Sequence, residues 1–339
     1  MRTPALVVDV DILQANIDAA AALAADRGLA LRPHVKTHKT PEIAALQLAA
    51  GAVGITVATI GEAEVFADAG CDDLLIAYPL WLDEIAVARL QALTERARVA
   101  IGCDAAESVV ALPPGLVELM IEVDSGFRRS GIEPSDTPVL AARLRAAGHT
   151  VRGVFSFPGH SYALDAAADA ADQEVTALLR AADGANDWVL SGGTTPSLRY
   201  ADSRLSEYRP GVYVFNDAQQ WELGSCRPEQ IALTCHARVV SVHPDRVVLD
   251  SGSKALGADK APYASGYGRL LDHPEARIVQ LSEHHAVVAG PALPTLGSIV
   301  RVVPNHVCNA VNLADQLSVT DRTGADRGAW RVAARDRNS

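Results

Sequence analysis

The sequence contains few cysteines and no long apolar segment. Its five cysteines are odd in number and widely spaced along 339 residues, and none forms a Cys-x-x-Cys pair. That spacing argues against a disulfide framework and is typical of a reducing compartment. The longest uncharged apolar run, 286–300, is broken by glycine and proline and is shorter than a membrane span. Because the N-terminus also lacks a signal-peptide core, we expect a cytoplasmic protein.

Positive charge is scarce as well. The chain has 30 lysine and arginine residues against 41 aspartate and glutamate residues, which gives a net charge of −11. Nucleic acids and anionic membranes attract positive surfaces, so we expect neither as a partner. The sequence has no P-loop and no G-x-G-x-x-G, H-E-x-x-H or G-x-S-x-G motif. It therefore gives no support to a nucleotide-binding, zincin or serine-hydrolase function.

The first two-thirds of the chain alternates between short apolar runs and Ala/Leu-rich stretches of helical period. Asp11 is predicted to cap the first helix, which ends at Gly28. The apolar runs that read as buried strands are 29–32, 54–58, 74–77, 99–101, 116–123, 151–156, 188–190 and 212–215. Repeated strand–helix units imply a parallel sheet, and eight of them predict a closed (β/α)₈ TIM-like barrel. An open doubly wound sheet is the alternative.

The pattern changes near residue 225. Short extended runs separated by glycine and proline replace the long helical periods, which predicts a mostly β C-terminal domain. We therefore expect domains at 10–225 and 226–339, with the extended N-terminal strand 4–9 joining the second. The charged tail from Gly324 onward is predicted to be partly frayed.

The densest cluster of reactive side chains follows the first predicted strand. Arg32, His34 and Lys36 would share one face of an extended segment. Active sites lie at the C-terminal ends of barrel strands, and neighbouring positive charges lower the pKa of a lysine. Such a lysine is a nucleophile for carbonyl chemistry. A solvated basic loop explains the same residues without a function.

A second cluster is the pair His306-x-Cys308. In a strand these two side chains would point the same way, and an imidazole beside a thiolate suits zinc. Most isolated pairs of this kind are packing residues, so the spacing alone leaves both interpretations open.

Several segments resemble the D-serine dehydratase and D-threonine aldolase family. The segment 31–40 (LRPHVKTHKT) resembles its cofactor-lysine segment, and the similarity continues almost to the C-terminus. The further matching segments are 77–79 (AYP), 122–131 (EVDSGFRRSG), 159–162 (GHSY), 209–213 (RPGVY), 250–256 (DSGSKAL) and 304–308 (PNHVC). The resemblance implies pyridoxal phosphate on an alanine racemase-like barrel, a following β domain and a homodimer.

The resemblance also implies roles for individual residues. Lys36 would bind the cofactor covalently, with His34 and Arg129 completing the catalytic set. The further cofactor-binding residues would be His160, Tyr162, Gly193, Thr194, Thr195, Arg209, Gly211 and Val212. The loops after barrel strands 7 and 8 usually bind phosphate, and Arg209 would face the pyridine nitrogen. His306 and Cys308 would hold Zn²⁺ or Mn²⁺. Where the family often has two acids before the histidine at position 285, this chain has His284 in place of the second.

The implied activity is a pyridoxal-phosphate- and metal-dependent lyase for D-β-hydroxy-α-amino acids. Cys308, Val35 and the 77–79 match favour a D-serine dehydratase-like β-elimination to a 2-oxo acid and ammonia. The alternatives are a D-threonine aldolase-type cleavage to glycine and an aldehyde, an amino-acid racemase, and a non-catalytic cofactor carrier.

Overall fold

The structure is a computed structural model that describes residues 2–339. Its strands are β1 Ala5–Asp9, β2 Ala30–Leu31, β3 Ile55–Val57, β4 Asp73–Pro79, β5 Arg98–Cys103, β6 Glu118–Glu122, β7 Thr150–Phe155, β8 Val189–Gly192, β9 Glu207–Tyr208, β10 Leu233–Val242, β11 Arg246–Leu249, β12 Gly268–Leu270, β13 Arg277–Leu281, β14 Ala286–Ala289, β15 Ile299–Pro304, β16 Gln316–Thr320 and β17 Asp326–Arg331. Its helices are α1 Val10–Asp26, α2 Pro41–Ala49, α3 Ile60–Asp68, α4 Glu84–Thr94, α5 Thr137–Ala146, α6 Ala167–Ala181, α7 Ala218–Glu222, α8 Ser253–Leu256 and α9 Val307–Leu313.

The chain divides into two compact units. The barrel unit comprises 19–36, 43–211 and 337–339, and the β unit comprises 2–18, 37–42 and 212–336. Six residues directly after Lys36 thus belong to the β unit. There Lys39 Nζ donates to Asn312 Oδ1 at 2.7 Å, and Ala334 N donates to Lys39 O at 3.1 Å. The predicted boundary at 225/226 stays a prediction.

The barrel unit contains a parallel sheet of eight strands in the order β2-β9-β8-β7-β6-β5-β4-β3 within the described residues. A parallel bridge from His34 to Thr56 joins the β2 edge to the β3 edge, and Thr56 N donates to Pro33 O at 2.8 Å. These bonds close the sheet, so the predicted barrel is confirmed. Leu75, Ala100, Met120 and Phe155 form a buried cluster on successive strands.

The eighth barrel strand lies earlier in the chain than the sequence predicted. Residues 212–215 were expected to form it, but Val212–Val214 is a 3₁₀ turn and the strand is β9. Glu207 and Tyr208 pair with β8 on one side and β2 on the other. Arg209 N still donates to Gly192 O at 2.8 Å, but the next residue, Pro210, has no N–H group to extend the ladder. A short apolar run does not distinguish a buried turn from a buried strand, which explains the error.

Helix starts follow local capping. Thr59 and Asp83 accept backbone N–H groups at the starts of α3 and α4. At α1 the cap is Asp9, whose Oδ1 accepts from Asp11 N and Ile12 N at 3.1 Å each. The predicted cap at Asp11 is therefore wrong, because Asp11 already lies in the first turn of the helix.

The β unit contains a nine-stranded sheet among residues 2–339, in the order β11-β14-β13-β12-β15-β10-β1-β16-β17. A further pairing of β11 with β10 folds the sheet back on itself. The N-terminal strand β1 runs antiparallel to β10 and parallel to β16, and Val7, Val8, Leu233 and Val319 are buried there.

The C-terminal tail is ordered rather than frayed. β17 pairs with β16, and Val332 and Ala334 are buried. In the barrel unit, Gly61 N donates to Ser339 O at 3.0 Å and Thr59 Oγ1 donates to Arg337 O at 2.6 Å. The fraying predicted from Gly324 is wrong. Composition alone does not show that the backbone of a charged segment pairs with distant residues, as it does here. No helix between residues 2 and 339 is both long and apolar enough to cross a membrane.

Candidate active site

A pocket of about 430 Å³ opens at the carboxyl ends of the barrel strands. Its lining residues are His34, Lys36, Ala58, Ala77, Tyr78, Pro79, Asp104, Arg129 and Ser130. They end or follow β2 to β6, which is the face where barrel enzymes carry their active sites. The volume lies within the range of small-molecule sites. The structure thus brings three sequence-predicted residues, His34, Lys36 and Arg129, to one cavity.

Lys36 sits in a 3₁₀ turn, Val35–Thr37, with its Nζ 5.2 Å from the centre of the Phe157 ring. Its backbone N–H lies 3.4 Å from His34 Nδ1. The extended segment predicted for 32–36 is therefore wrong at its end. Because the chain turns after β2, the alternation of side chains that the prediction assumed is lost.

Arg32 does not contribute to the pocket. It is 1% exposed and pairs with Glu207 at 2.9 Å and with Asp73 at 2.7 Å. Two carboxylates offset its charge. Arg32 is therefore not available as one of the three crowded cations that were predicted to lower the pKa of the lysine.

An aromatic cluster forms one wall beside Lys36. The Phe157 ring lies 5.7 Å from the Phe127 ring and 6.4 Å from the Tyr162 ring. The Arg129 guanidinium lies 5.0 Å from the Phe157 ring centre, and its Nη2 is 3.7 Å from the buried Glu122 carboxylate. Burial raises the pKa of Glu122, with Ser130 and Arg129 opposing it. The wall places the Lys36 amine and the Arg129 guanidinium at one ring.

His160 carries an unmet hydrogen-bonding capacity next to this wall. It lies in the 3₁₀ turn Gly159–Tyr162, and its Nδ1 and Nε2 are both buried without a partner in the described part of the chain. Buried polar atoms are normally satisfied, so these nitrogens point to a missing group.

The turn after β8 is tightly bonded. Gly193 N donates to Glu174 Oε1 at 2.8 Å, and Thr194 N donates to Ser197 Oγ at 3.1 Å. The Thr194 hydroxyl lies 2.8 Å from the Ser161 hydroxyl. Two N–H groups that the sequence predicted as phosphate donors thus already have acceptors. Of the other predicted donors, Thr195 is buried, Gly211 is half-buried and Val212 begins a 3₁₀ turn, where N–H groups lack acceptors within the turn.

Arg209 lies inside the barrel. It is 6% exposed, donates to Ser191 Oγ at 3.1 Å and to Ser156 O, and its guanidinium is 5.3 Å from the Phe155 ring centre. Burial lowers its pKa, and Glu207 and Glu174 oppose that effect. Its predicted contact with a pyridine nitrogen stays a prediction.

The second predicted pair, His306 and Cys308, lies in the β unit. His306 precedes α9 and Cys308 lies in its first turn, so the pair is not on a strand as the sequence predicted. β15 ends at Pro304, and the two side chains meet through the helical turn, where they are hydrogen-bonded to each other. Cys308 Sγ also donates to Thr37 Oγ1 at 3.3 Å.

Asp259 and Asp217 fix this pair from two sides. His306 Nδ1 is hydrogen-bonded to Asp259 Oδ2. The buried Asp217 accepts from Gln220 N at 2.9 Å and from Val307 N at 3.1 Å, which anchors the peptide between the two candidate ligands. Burial lowers the pKa of His306, but the negative charge of Cys308 and the bond to Asp259 outweigh it and raise that pKa to about 11.

Comparison with known proteins gives the family. Residues 8–219 match the family model described as alanine racemase, N-terminal domain, and residues 232–320 match a putative serine dehydratase domain. The chain belongs to the alanine racemase-like family of pyridoxal-phosphate enzymes. The resemblance inferred from the sequence motifs is thereby confirmed.

Characterised relatives of this alanine racemase-like chain are lyases. D-threo-3-hydroxyaspartate dehydratase of Delftia sp. (strain HT23) is 36% identical over 355 residues, which cover 91% of each chain. D-threonine aldolase of Arthrobacter sp. is 31% identical and covers 98% of this chain and 92% of its own. The solved Delftia enzyme superimposes with a TM-score of 0.89 at 29% identity, covering 98% of this chain and 97% of that one. A variant of it is described as metal-free. The chain is accordingly an enzyme of the pyridoxal-phosphate-dependent lyase type.

The residues at the barrel mouth fit pyridoxal phosphate. The pocket offers an amine at Lys36, an aromatic wall and a guanidinium at Arg129, and His160 supplies two buried nitrogens without partners. An aldehyde, a flat ring and an anionic oxygen match these groups in turn.

The donor set of the β unit fits a divalent metal. Imidazole and thiolate suit zinc, and a ligand histidine whose other nitrogen bonds a carboxylate is the usual arrangement. His306 and Asp259 show that arrangement. No group of three or more His, Cys, Asp or Glu side chains able to hold a metal occurs in residues 2–339. The pair therefore offers two protein ligands.

Sequence patterns missed several residues around these sites, namely Phe157, Asp104, Asp259, Asp217 and Glu174. Asp104 directly follows β5, so the rule that polar residues gather after barrel strands was a usable signal. The other contacts depend on tertiary packing.

Proposed function

We propose that this chain is a pyridoxal-phosphate- and divalent-metal-dependent dehydratase of D-β-hydroxy-α-amino acids, which eliminates water to leave an enamine that water hydrolyses to a 2-oxo acid and ammonia. The observation that carries the proposal is the pocket at the strand ends that contains Lys36, His34 and Arg129. The similarity to the Delftia dehydratase over 91% of the chain supports the reaction class and the D-amino-acid substrate.

The cofactor would be held by groups of the barrel unit and the residues that follow it. Lys36 would hold the aldehyde carbon, His160, Tyr162 and Arg129 would contact the ring, and Arg209 would lie at the ring nitrogen. Thr195, Gly211 and Val212 would supply phosphate donors, while Gly193 and Thr194, whose N–H groups bond Glu174 and Ser197, would shape the turn beside the phosphate. When bound, pyridoxal phosphate makes the α-hydrogen of an amino acid acidic, and a divalent metal makes a β-hydroxyl a better leaving group.

The chain's own groups perform the proton transfers and the positioning. Lys36 Nζ is the base that removes the α-proton, because Lys36 is the lysine among the residues that line the pocket. Arg129 supplies a positive charge for an anionic oxygen, and Glu122 at 3.7 Å orients it. The Phe157 ring, which packs beside Phe127 and Tyr162, covers one side of the lysine amine.

His306 and Cys308 would hold zinc or manganese. The Asp259 bond selects the His306 nitrogen that stays available for a ligand bond. Thr37, which follows Lys36 in the chain, lies with its Oγ1 at 3.3 Å from Cys308 Sγ, where its hydroxyl would donate to the thiolate and orient the sulfur. The pair supplies one protein ligand fewer than the three usual at catalytic zinc sites, so water and substrate would complete the coordination.

A retro-aldol cleavage is the second candidate, favoured by the similarity to the Arthrobacter D-threonine aldolase over 98% of this chain. The two reactions use the same lysine and metal and differ in the products. A homodimer and a small D-amino-acid substrate stay predictions for this chain.

The test is a product assay with pyridoxal phosphate present, with and without added zinc or manganese. D-serine, D-threonine and D-threo-3-hydroxyaspartate are supplied, and each L-isomer serves as the control. We expect 2-oxo acid and ammonia from a D-isomer only, and only with metal. Glycine and an aldehyde as main products would favour the aldolase. Interconversion of D- and L-alanine at full rate without metal would reject both lyases.

A further inference from the structure

A buried carboxyl group underlies the glycine turn that follows β8. Glu174 on α6 is 0% exposed, and its Oε1 accepts the Gly193 N–H at 2.8 Å. A Cβ at Gly192 would lie 2.8 Å from the Glu174 carboxyl carbon, so this turn and this side chain fit each other closely. The contact leaves no room for a side chain at position 192.

The rest of the turn is fixed by hydroxyl groups. Thr194 Oγ1 lies 2.8 Å from Ser161 Oγ and 2.7 Å from Ser197 Oγ, and Tyr208 OH donates to Ser197 Oγ at 2.8 Å. All four of these residues are buried. The bond from Gly193 N to Glu174 differs from these hydroxyl bonds, because it joins the turn to the helix α6.

The charge state of Glu174 suits a neighbouring anion. Burial raises the pKa of Glu174 to about 8, while the Gly193 N–H and the charge of Arg209 oppose that rise. The carboxyl group is therefore mostly protonated at neutral pH, and its Oε2 has no partner among the described residues. A neutral acid accepts the N–H bond without placing a negative charge behind a phosphate site.

We propose that Glu174 is a positioning residue for cofactor phosphate, acting through the Gly193 N–H to hold the turn 192–195 in its binding geometry. The inference rests on the proposed function, because it takes pyridoxal phosphate to be the cofactor. Glu174 touches neither the cofactor nor the substrate. Its effect is confined to the phosphate end, and the amine of Lys36 and the aromatic wall act without it.

The experiment compares pyridoxal phosphate with pyridoxal, which lacks the phosphate. Dissociation constants for both are measured by absorbance titration of the cofactor-free full chain. The variants are Glu174→Gln, which keeps an acceptor and the neutral charge, and Glu174→Met, which keeps the length and removes the acceptor. Asp172→Ala, an exposed acid on the same helix, is the matched control.

For Glu174→Met we expect about tenfold weaker binding of pyridoxal phosphate and unchanged binding of pyridoxal, since one buried N–H loses its acceptor. Glu174→Gln and Asp172→Ala should match the wild type for both ligands. Equal weakening of both ligands, or no weakening, in Glu174→Met would overturn the proposal. If Glu174→Met does not fold, Glu174→Asp, which falls one methylene short of Gly193, carries the same comparison. Wild-type protein that binds neither ligand would instead reject the proposed function itself.

Discussion

At the residue scale, the surroundings of Lys36 differ from those that the sequence suggested. Lys36 faces the Phe157 ring, while Arg32 is committed to Glu207 and Asp73. An aromatic face defines the surroundings of the amine, and crowding by three cations does not. Lys36 was predictable from LRPHVKTHKT, but its aromatic neighbour Phe157 comes from the segment after β7.

Replacing Lys36 tests its covalent role directly. Lys36→Ala should abolish both the visible-edge absorbance of the bound cofactor and the activity, because no other lysine lines the pocket within residues 2–339. Absorbance spectroscopy and a product assay give the two readouts. Lys254→Ala, an exposed lysine paired with Glu283, is the control and should keep both. An unchanged spectrum in Lys36→Ala would reject the assignment.

The buried ion pairs of Arg32 make a prediction about stability. Arg32→Met removes the ion-pair partner of the buried Glu207 and the nearest of the partners of Asp73, and should lower the free energy of unfolding by about 3–5 kcal/mol. Urea unfolding measures the change, and Arg204→Met, which breaks an exposed pair with Asp202, should show almost none. Equal effects in both variants would contradict this account.

The pH dependence of the same pair has a definite sign. Burial raises the pKa of Glu207, but the charge and hydrogen bond of Arg32 outweigh it and hold that pKa below its ordinary 4.5. The stabilisation is complete above 4.5 and is lost as the pH falls through the lower folded value. Wild-type protein should therefore lose more unfolding free energy below pH 4.5 than Arg32→Met does.

At the scale of elements, short apolar runs correctly predicted strands and stretches of helical period correctly predicted helices at several places in the barrel unit. The runs at 54–58, 74–77 and 151–156 are strands, and 62–68 and 137–147 are helical. Two failures share one cause. The run 212–215 and the pair His306-x-Cys308 both lie just after a strand that ends at or before a proline. There the partner contacts, which come from distant parts of the chain, decide between a turn and a strand.

The site was predictable to a similar extent. Motifs placed Lys36, His34 and Arg129, which the pocket brings together. The motifs did not identify Asp259 or Asp217. An acid that bonds a side chain or N–H group far away in the sequence leaves no periodic pattern there.

Two glycines of like conformation separate the effect of space from the effect of backbone strain. Gly193 has φ +99°, and a Cβ there would lie 2.2 Å from the Tyr208 ring, whereas Gly184 has φ +79° and open surroundings. Gly184→Ala should cost about 1–2 kcal/mol through left-handed strain alone. Gly193→Ala should cost about 1–3 kcal/mol more through overpacking. Thermal unfolding of both variants measures the difference, and equal losses would show that the Tyr208 ring yields.

At the scale of the whole molecule, the two predicted reactive groups belong to different compact units. Lys36 lies in the barrel unit, and His306 and Cys308 lie in the β unit. Each unit has its own sheet and its own buried residues. We therefore expect metal and cofactor to be loaded and lost independently.

Removing the metal tests that independence. Treatment with a strong chelator, or Cys308→Ala, should remove bound metal and activity while the cofactor absorbance persists. Elemental analysis and the absorbance spectrum give the two readouts, and zinc added back should restore the chelated wild type but not the variant. Activity that survives complete metal removal would exclude the metal role.

The chain order of the two units has a consequence for synthesis on the ribosome. The six residues after Lys36, like the first strand, find their packing partners among residues beyond 211. When only the residues up to the last barrel strand have been synthesised, the segment that follows Lys36 still lacks these packing partners. The first strand and the segment 37–42 therefore stay unpacked until residues beyond 211 have been synthesised, so the β unit completes its fold later than the parallel sheet of the barrel unit.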